Sequence, residues 1–243
     1  MRIAILSDLH GNLSALEAVL ADLDAEQVDH IVCLGDVAVG GPHPREVIAR
    51  LKALNCPVVM GNTDAWLLNP QPIRAWRGDS HRITEIAFWS AVQLAPADLE
   101  YVHTFQPTVE VRLADHVELL CFHGSPCSNA DIIVSTTPDA ELECMLTGYH
   151  AQVLAGGHTH TQMLRRYKDM IIVNPGSVGH TFEFTPGLPE ARIPPWTEYA
   201  LVGWADDRLD VELRRGPMDV NALVRAALNS GMPHAEWWVE NWG

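Results

Sequence analysis

Asp8 and His10 stand one residue apart at the end of the apolar run Ile3–Leu6, in the stretch Ser7-Asp8-Leu9-His10-Gly11-Asn12. A carboxylate and an imidazole so spaced form a metal-ligand pair, although strands also end in Asp, Asn or Gly simply because these residues turn the chain. The pair gains meaning from the rest of the chain. Further apolar runs end in Gly35-Asp36, in Gly61-Asn62, in His123, in Gly157-His158-Thr159-His160 and in the Asn174 turn. Carboxylates and imidazoles together suit borderline cations such as Mn, Fe, Zn, Co or Ni better than Ca or Mg, which prefer all-oxygen surroundings. Two such ions about 3.5–4 Å apart can share a carboxylate, hold a water as hydroxide and clamp the oxygens of a phosphoryl group.

Those residues need a frame that brings strand ends together. After Asn12 the apolar positions Leu13, Leu16, Val19, Leu20 and Leu23 recur at helical spacing, so a strand gives way to an amphipathic helix. His30–Leu34 reads as a second strand, Val47, Leu51 and Leu54 as a helix with Pro44 in its first turn, and Pro57–Met60 as a third strand. Strand and helix in succession predict a parallel sheet with helical crossovers, whose carboxyl ends would share one edge. Residues 65–106 are helical in pattern and read as a cap, with Trp66, Arg74, Trp76, Arg77 and His81 in or before it as pocket or packing residues. Later, Val109–Leu113 and Val117–Phe122 predict a hairpin turning at Ala114-Asp115-His116, and Thr137-Pro138-Asp139 opens a helix. Gln152–Ala155 and Met170–Val173 are further strands, Tyr199–Gly203 and Leu209–Leu213 a late hairpin, and Val220–Leu228 a helix. The Trp-rich tail, 229–243, is expected to dock on its own domain rather than on a partner.

The 243 residues, 47% of them hydrophobic, suffice for one large domain, and no Pro/Ser/Gly linker or repeat divides them. With 16 basic and 31 acidic residues the formal charge is −15, which opposes binding to nucleic acid. The 5 cysteines form no Cys-x-x-Cys pair, arguing against a disulfide framework or a zinc knuckle. With neither a signal-like nor a membrane-spanning stretch, a reducing cytoplasm is the expected compartment.

Taken in order, Asp8-x-His10, Gly35-Asp36, Gly61-Asn62, His123-Gly124 and Gly157-His158-Thr159-His160 resemble the signature of the calcineurin-like metallophosphoesterases, in particular their small bacterial and archaeal phosphodiesterase branch. The resemblance runs from Met1 to about Ser177. It implies a two-sheet β-sandwich flanked by helices, the four-layer αββα fold, with a helical cap insertion; the late hairpin would fit the family's second sheet. It also implies two di- or trivalent metal ions, one held by Asp8, His10 and His160, the other by Asn62, His123 and His158, with Asp36 bridging. A hydroxide between the ions would attack phosphorus in a small-molecule phosphate ester, with Asp36 and Asn62 at the catalytic centre.

Many relatives carry His after the metal-binding Asn; this chain has Thr63, which supplies no imidazolium for the leaving group, although the branch it resembles often has a short residue there. His43 and His81 are candidates to take that part, and with Asn62 and Thr63 they make up the substrate-contact candidates. Asp64 is expected to orient a ligand or cap a turn. The competing reading is a metal-binding scaffold with little catalysis, as in the retromer subunit that shares this fold. A nuclease is disfavoured by the charge, and the sequence is silent on whether the chain forms oligomers.

Overall fold

A computed structural model describes residues 1–74, 79–183, 192–240 and 242. Strand β1 (Arg2–Leu6) is buried on both faces, and its alternation decides the layering. Ile3 and Ile5 point into a core shared with Leu119, Cys121, Val153 and Val173, while Ala4 and Leu6 point the other way, into a core under helices. Fully burying such an isoleucine is worth roughly 1.5–3 kcal/mol. β1 pairs in parallel with β2 (His30–Cys33) and antiparallel with β8 (Trp196–Ala205), which pairs with β9 (Arg208–Pro217) in the sheet order β2-β1-β8-β9.

The second sheet has the order β3-β4-β5-β7-β6, from β3 (Val109–Ala114), β4 (Val117–Cys121), β5 (Val153–Ala155), β6 (Met163–Tyr167) and β7 (Met170–Asn174). β4, β5 and β7 run parallel; the edge strands β3 and β6 are antiparallel to their neighbours. Alternation recurs here. Leu119 and Cys121 face the first sheet, whereas Leu120, Phe122, Leu154 and Ile172 face an outer core with Leu142 of α6 (Asp139–Met145). Helices α1 (Leu13–Glu26) and α2 (Pro44–Leu54) cover the first sheet's outer face with α7 (Val220–Asn229) and α8 (Ala235–Val239). α3 (Asn62–Leu68), α4 (Ser80–Gln93) and α5 (Pro96–Val102) add Leu67, Ile86, Ala87 and Val102 to that core. Two sheets flanked by helices is therefore the architecture.

Three expectations change. The strand ends do not share one parallel sheet: those of β1 and β2 lie in one sheet, those of β4, β5 and β7 in another, and face-to-face packing brings them together. The late hairpin is longer than its alternating core and completes the first sheet, not the second. Residues 57–60 form only isolated bridges, Val58 with Cys33 and Val59 with Gln106, because the run is short and opens on a proline that offers no N–H. β6 has no counterpart in the sequence reading; its Leu164 is exposed, so the apolar alternation that would reveal it is missing.

Candidate metal centre

The strand-end turns are stitched to one another by main-chain hydrogen bonds. Asp8 N donates to Gly35 O at 3.0 Å, His10 N to Asp36 O at 2.9 Å and Gly11 N to Val37 O at 2.8 Å. Across the sheets, Val178 N donates to Ser7 O at 2.9 Å, and within the second sheet the turn after β5 is tied to the turn after β4 by Gly157 N to His123 O at 2.8 Å. Asp8, His10, Asp36, His158 and His160 all have positive φ, between 46° and 67°. Each such non-glycine residue costs about 1–3 kcal/mol, strain that concentrates at functional sites. Glycines make room beside them: a Cβ on Gly157 would lie 2.0 Å from Ser7 Oγ, and one on Gly61 would lie 2.2 Å from Asp36 Oδ1.

Two clusters result. Asp8, His10 and His160 offer ligand atoms within 4.8 Å of one another, and so do Asp36, His123 and His158. Asn62, the first residue of α3, joins the second: its Oδ1 lies 2.9 Å from His158 Nδ1, 3.0 Å from His123 Nε2 and 3.3 Å from Asp36 Oδ2. Asp36 stands between the clusters, with Oδ1 3.5 Å from His123 Nε2 and Oδ2 3.8 Å from His10 Nε2.

Three imidazoles are aimed by main-chain carbonyls. His10 Nδ1 donates to Val39 O at 2.7 Å, His123 Nδ1 to Leu34 O at 2.8 Å and His160 Nδ1 to His180 O at 2.5 Å. A carbonyl only accepts, so the proton is on Nδ1 and the Nε2 lone pair is free for the interior. His10 Nε2 and His160 Nε2 then lie 3.0 Å apart, and either a proton or a cation has to lie between them. Asp8 Oδ1 is buried without a hydrogen-bond partner, with His160 Nε2 3.3 Å away. The Asn62 oxygen likewise meets only acceptors; turning the amide would satisfy it with hydrogen bonds, and a cation would satisfy it as it stands. Acceptors converging on one another are what a cation requires, and the mixture of imidazole, carboxylate and amide oxygen fits a borderline divalent metal.

The charges of the side chains lean the same way. Burial acts to raise the Asp8 carboxyl, but the His160 and His123 imidazoles outweigh it and bring it down to about 2. Asp36, for all its burial, is held below the usual carboxylate range by His123, His10 and the Thr63 N–H, which donates to Oδ1 at 2.8 Å. Conversely, His123 is raised by Asp36 and Asp8 against its burial, and His160 by Asp8 against its own. Burial lowers His10 and His158, with His160 and His123 adding repulsion.

Surrounding residues hold this geometry. Asp64 accepts from Asp36 N at 2.7 Å, from Gly61 N at 3.1 Å and from Val37 N at 2.9 Å. Burial and the Asp36 charge push its carboxyl up to about 7 against those donors. Asn174 is a strut: its Nδ2 donates to Gly157 O at 2.8 Å and Thr159 Oγ1 at 3.0 Å. Sequence reasoning missed Ser7, whose Oγ donates to Asp8 Oδ2 at 2.6 Å. It also missed His180, whose ring lies 5.9 Å from those of both His10 and His160. A histidine three residues past Ser177 was its only trace.

The substrate-contact candidates separate. Thr63 is in the first turn of α3, with Oγ1 buried and unpartnered. His43 is the half-buried N-cap residue of α2; its N donates to Gly11 O at 2.8 Å and its Nδ1 has no partner. His81 is on α4, in the exposed company of Glu85 at 3.6 Å and His234. Trp66 packs edge-on against Phe88, Arg74 is exposed, and Trp76 and Arg77 lie outside the described residues. Among the described residues no helix is long and apolar enough to cross a membrane.

Comparison with known proteins agrees with this fold. The chain is similar to a metallophosphoesterase from Sphaerobacter thermophilus, with a TM-score of 0.76 and 24% identity over 99% of this chain and 97% of that one. It is also similar to a hypothetical protein from Pyrococcus horikoshii, with a TM-score of 0.79 and 20% identity over 98% and 96% of the two chains. An uncharacterized protein of Methanocaldococcus jannaschii is 25% identical over 177 residues, which is 72% of this chain and 69% of that protein. Residues 1–188 match the profile of the calcineurin-like phosphoesterase superfamily domain. The chain thus belongs to the calcineurin-like phosphoesterase superfamily.

Proposed function

We propose that this protein is a hydrolase of small-molecule phosphate esters that works with two metal ions, one held by Asp8, His10 and His160 and the other by Asn62, His123 and His158, with Asp36 serving both. The observation that carries this reading is the convergence of two three-residue ligand groups with the Asp36 carboxylate reaching toward each. Bound there, such ions would supply Lewis-acid stabilisation of phosphoryl oxygens and a water acidified toward neutral pH. Mn, Fe, Zn, Ni and Co all suit the donor set.

The chain's own groups do the rest. The Thr63 N–H and the Asp64-bound loop fix the Asp36 carboxylate, and the carbonyls of Val39, Leu34 and His180 fix three rings, so the site is oriented before substrate arrives. Thr63 Oγ1, buried with no partner, is a donor for a phosphoryl oxygen or for the departing group. A hydroxyl is a far weaker acid than imidazolium, so diesters and esters with good leaving groups are the better substrates. The charge of −15 disfavours nucleic acid as the phosphate partner, and the reading places the enzyme in the cytoplasm as one domain spanning 1–243.

The test is turnover of a chromogenic diester and its monoester counterpart by metal-stripped protein given Mn, Fe, Zn, Ni or Co in turn, with elemental analysis of each sample. Metal-dependent turnover is expected, faster for the diester. Two bound ions with no turnover of either ester would replace this reading with that of a metal-binding scaffold.

A further inference from the structure

The two ion groups are braced differently. The carbonyl that aims His123 belongs to Leu34, which is fully buried and tied to β1 by its own N–H to Leu6 O at 2.7 Å. The carbonyls that aim His10 and His160 lie further from a strand: Leu34 is the first residue past β2, whereas Val39 is deeper in the same β2–α2 connection and His180 lies beyond β7.

Each of these loops meets an indole from the end of the chain. Trp238, 6% exposed, donates its Nε1–H to Gly40 O at 2.9 Å, one residue from the carbonyl that holds His10. Trp242 stacks on the His180 ring, with centroids 5.7 Å apart and planes inclined by 16°. The two indoles lie 5.2 Å from each other. The segment is anchored independently of the site, by a bridge between Trp242 and Ile193 and by His234 Nε2 against Glu85 Oε2 at 2.5 Å. Gly40 itself has φ +111, and a Cβ there would come within 3.5 Å of His10 Nδ1, so the loop lies close along that ring.

We infer that Trp238 and Trp242 are positioning residues for the ion group of Asp8, His10 and His160, and not for the group of Asn62, His123 and His158. The inference rests on the two-ion reading of the site. Neither indole hydrogen-bonds a ligand atom; each restrains the loop whose carbonyl sets the tautomer and direction of one imidazole. Loss of a group that orients a metal-binding His typically weakens the metal 10–100-fold. The indoles act one contact further out, so about tenfold is expected from each.

The experiment is calorimetric titration of metal-stripped full-length protein with Mn²⁺. Wild-type protein should take up two ions, and Trp242→Ala should weaken one about tenfold. Assignment comes from combining the change with variants that disable one group each. In an Asn62→Ala background, which leaves the first group intact, adding Trp242→Ala should weaken the remaining ion about tenfold. In a His160→Ala background, which leaves the second, it should change affinity by less than about twofold. Trp242→Phe, which keeps a ring over His180, should restore most of the loss. Equal weakening in both backgrounds would mean that the tail only supports the fold, and no weakening in either would mean that it is idle; both overturn the inference and leave two ions in the wild-type protein. Uptake of fewer than two ions by the wild-type protein is the separate result that overturns the two-ion reading itself, and this inference with it.

Discussion

His10 Nε2 and His160 Nε2, 150 positions apart in the chain, lie 3.0 Å from each other while each ring gives its Nδ1 proton to a main-chain carbonyl. Two imidazole lone pairs cannot rest at that distance without positive charge between them. A proton can supply that charge, and Asp8 favours it by raising His160. A divalent ion does the same work with more charge and displaces the proton.

Metal should therefore stabilise the fold. At a free concentration a hundredfold above its dissociation constant, each ion adds about 2.7 kcal/mol. In a chain of this size that corresponds to a rise in melting temperature of roughly 5–10 °C per site. Thermal melts of chelator-treated protein, with and without Mn or Zn added back, measure it; a melting temperature indifferent to both would contradict the proposed centre.

Asp36→Asn should abolish turnover and lower the occupancy of both ions, because the one carboxylate stands between the groups, 3.8 Å from His10 Nε2 and 3.5 Å from His123 Nε2. The amide keeps the shape and removes the charge. Elemental analysis beside an activity assay reads the result. One ion kept at full occupancy would show that Asp36 serves a single site.

What the sequence discloses and what it hides have separate physical causes. The seven ligand-type residues stand out because few side chains bind metal and each follows an apolar run, so Asp8, Asp36 and His123 are visible without any tertiary knowledge. Their grouping is not visible. The carbonyls of Val39 and His180 that aim His10 and His160 belong to residues whose identity is irrelevant to a main-chain contact. Pairing partners are hidden too. Nothing in the alternation of Tyr199–Gly203 says that β8 inserts beside β1, since either sheet would accept its apolar face.

Thr63→His should raise turnover of esters with poor leaving groups by about tenfold or more, and change good leaving groups little. The position is in the first turn of α3 and its main-chain N–H already holds Asp36, so the change replaces only the side chain, whose hydroxyl has no partner. A series of aryl esters graded by leaving-group acidity gives the answer: a flatter dependence of rate on leaving group is expected, and a uniform change across the series would mean that the histidine acts otherwise than as an acid.

Asp64→Asn looks conservative and should not be. One carboxylate oxygen of Asp64 accepts from Asp36 N and Gly61 N, the other from Val37 N, and all three donors are main-chain N–H groups with no freedom to turn away. An amide can present oxygen to only one side. Its NH₂ must then meet an N–H donor, leaving a buried donor unpaired at about 1–3 kcal/mol and forcing the Asp36 loop to shift. Because that loop carries Asp36 and Gly61 precedes Asn62, the displacement reaches both ion groups, and metal affinity should fall about 10–100-fold with stability reduced in parallel. Asp64→Ala, which leaves all three donors unpaired, should be worse on both counts. Calorimetric metal titration and thermal melts of the two variants measure the order; an Asp64→Asn protein with wild-type affinity would mean that the loop keeps its shape without the carboxylate.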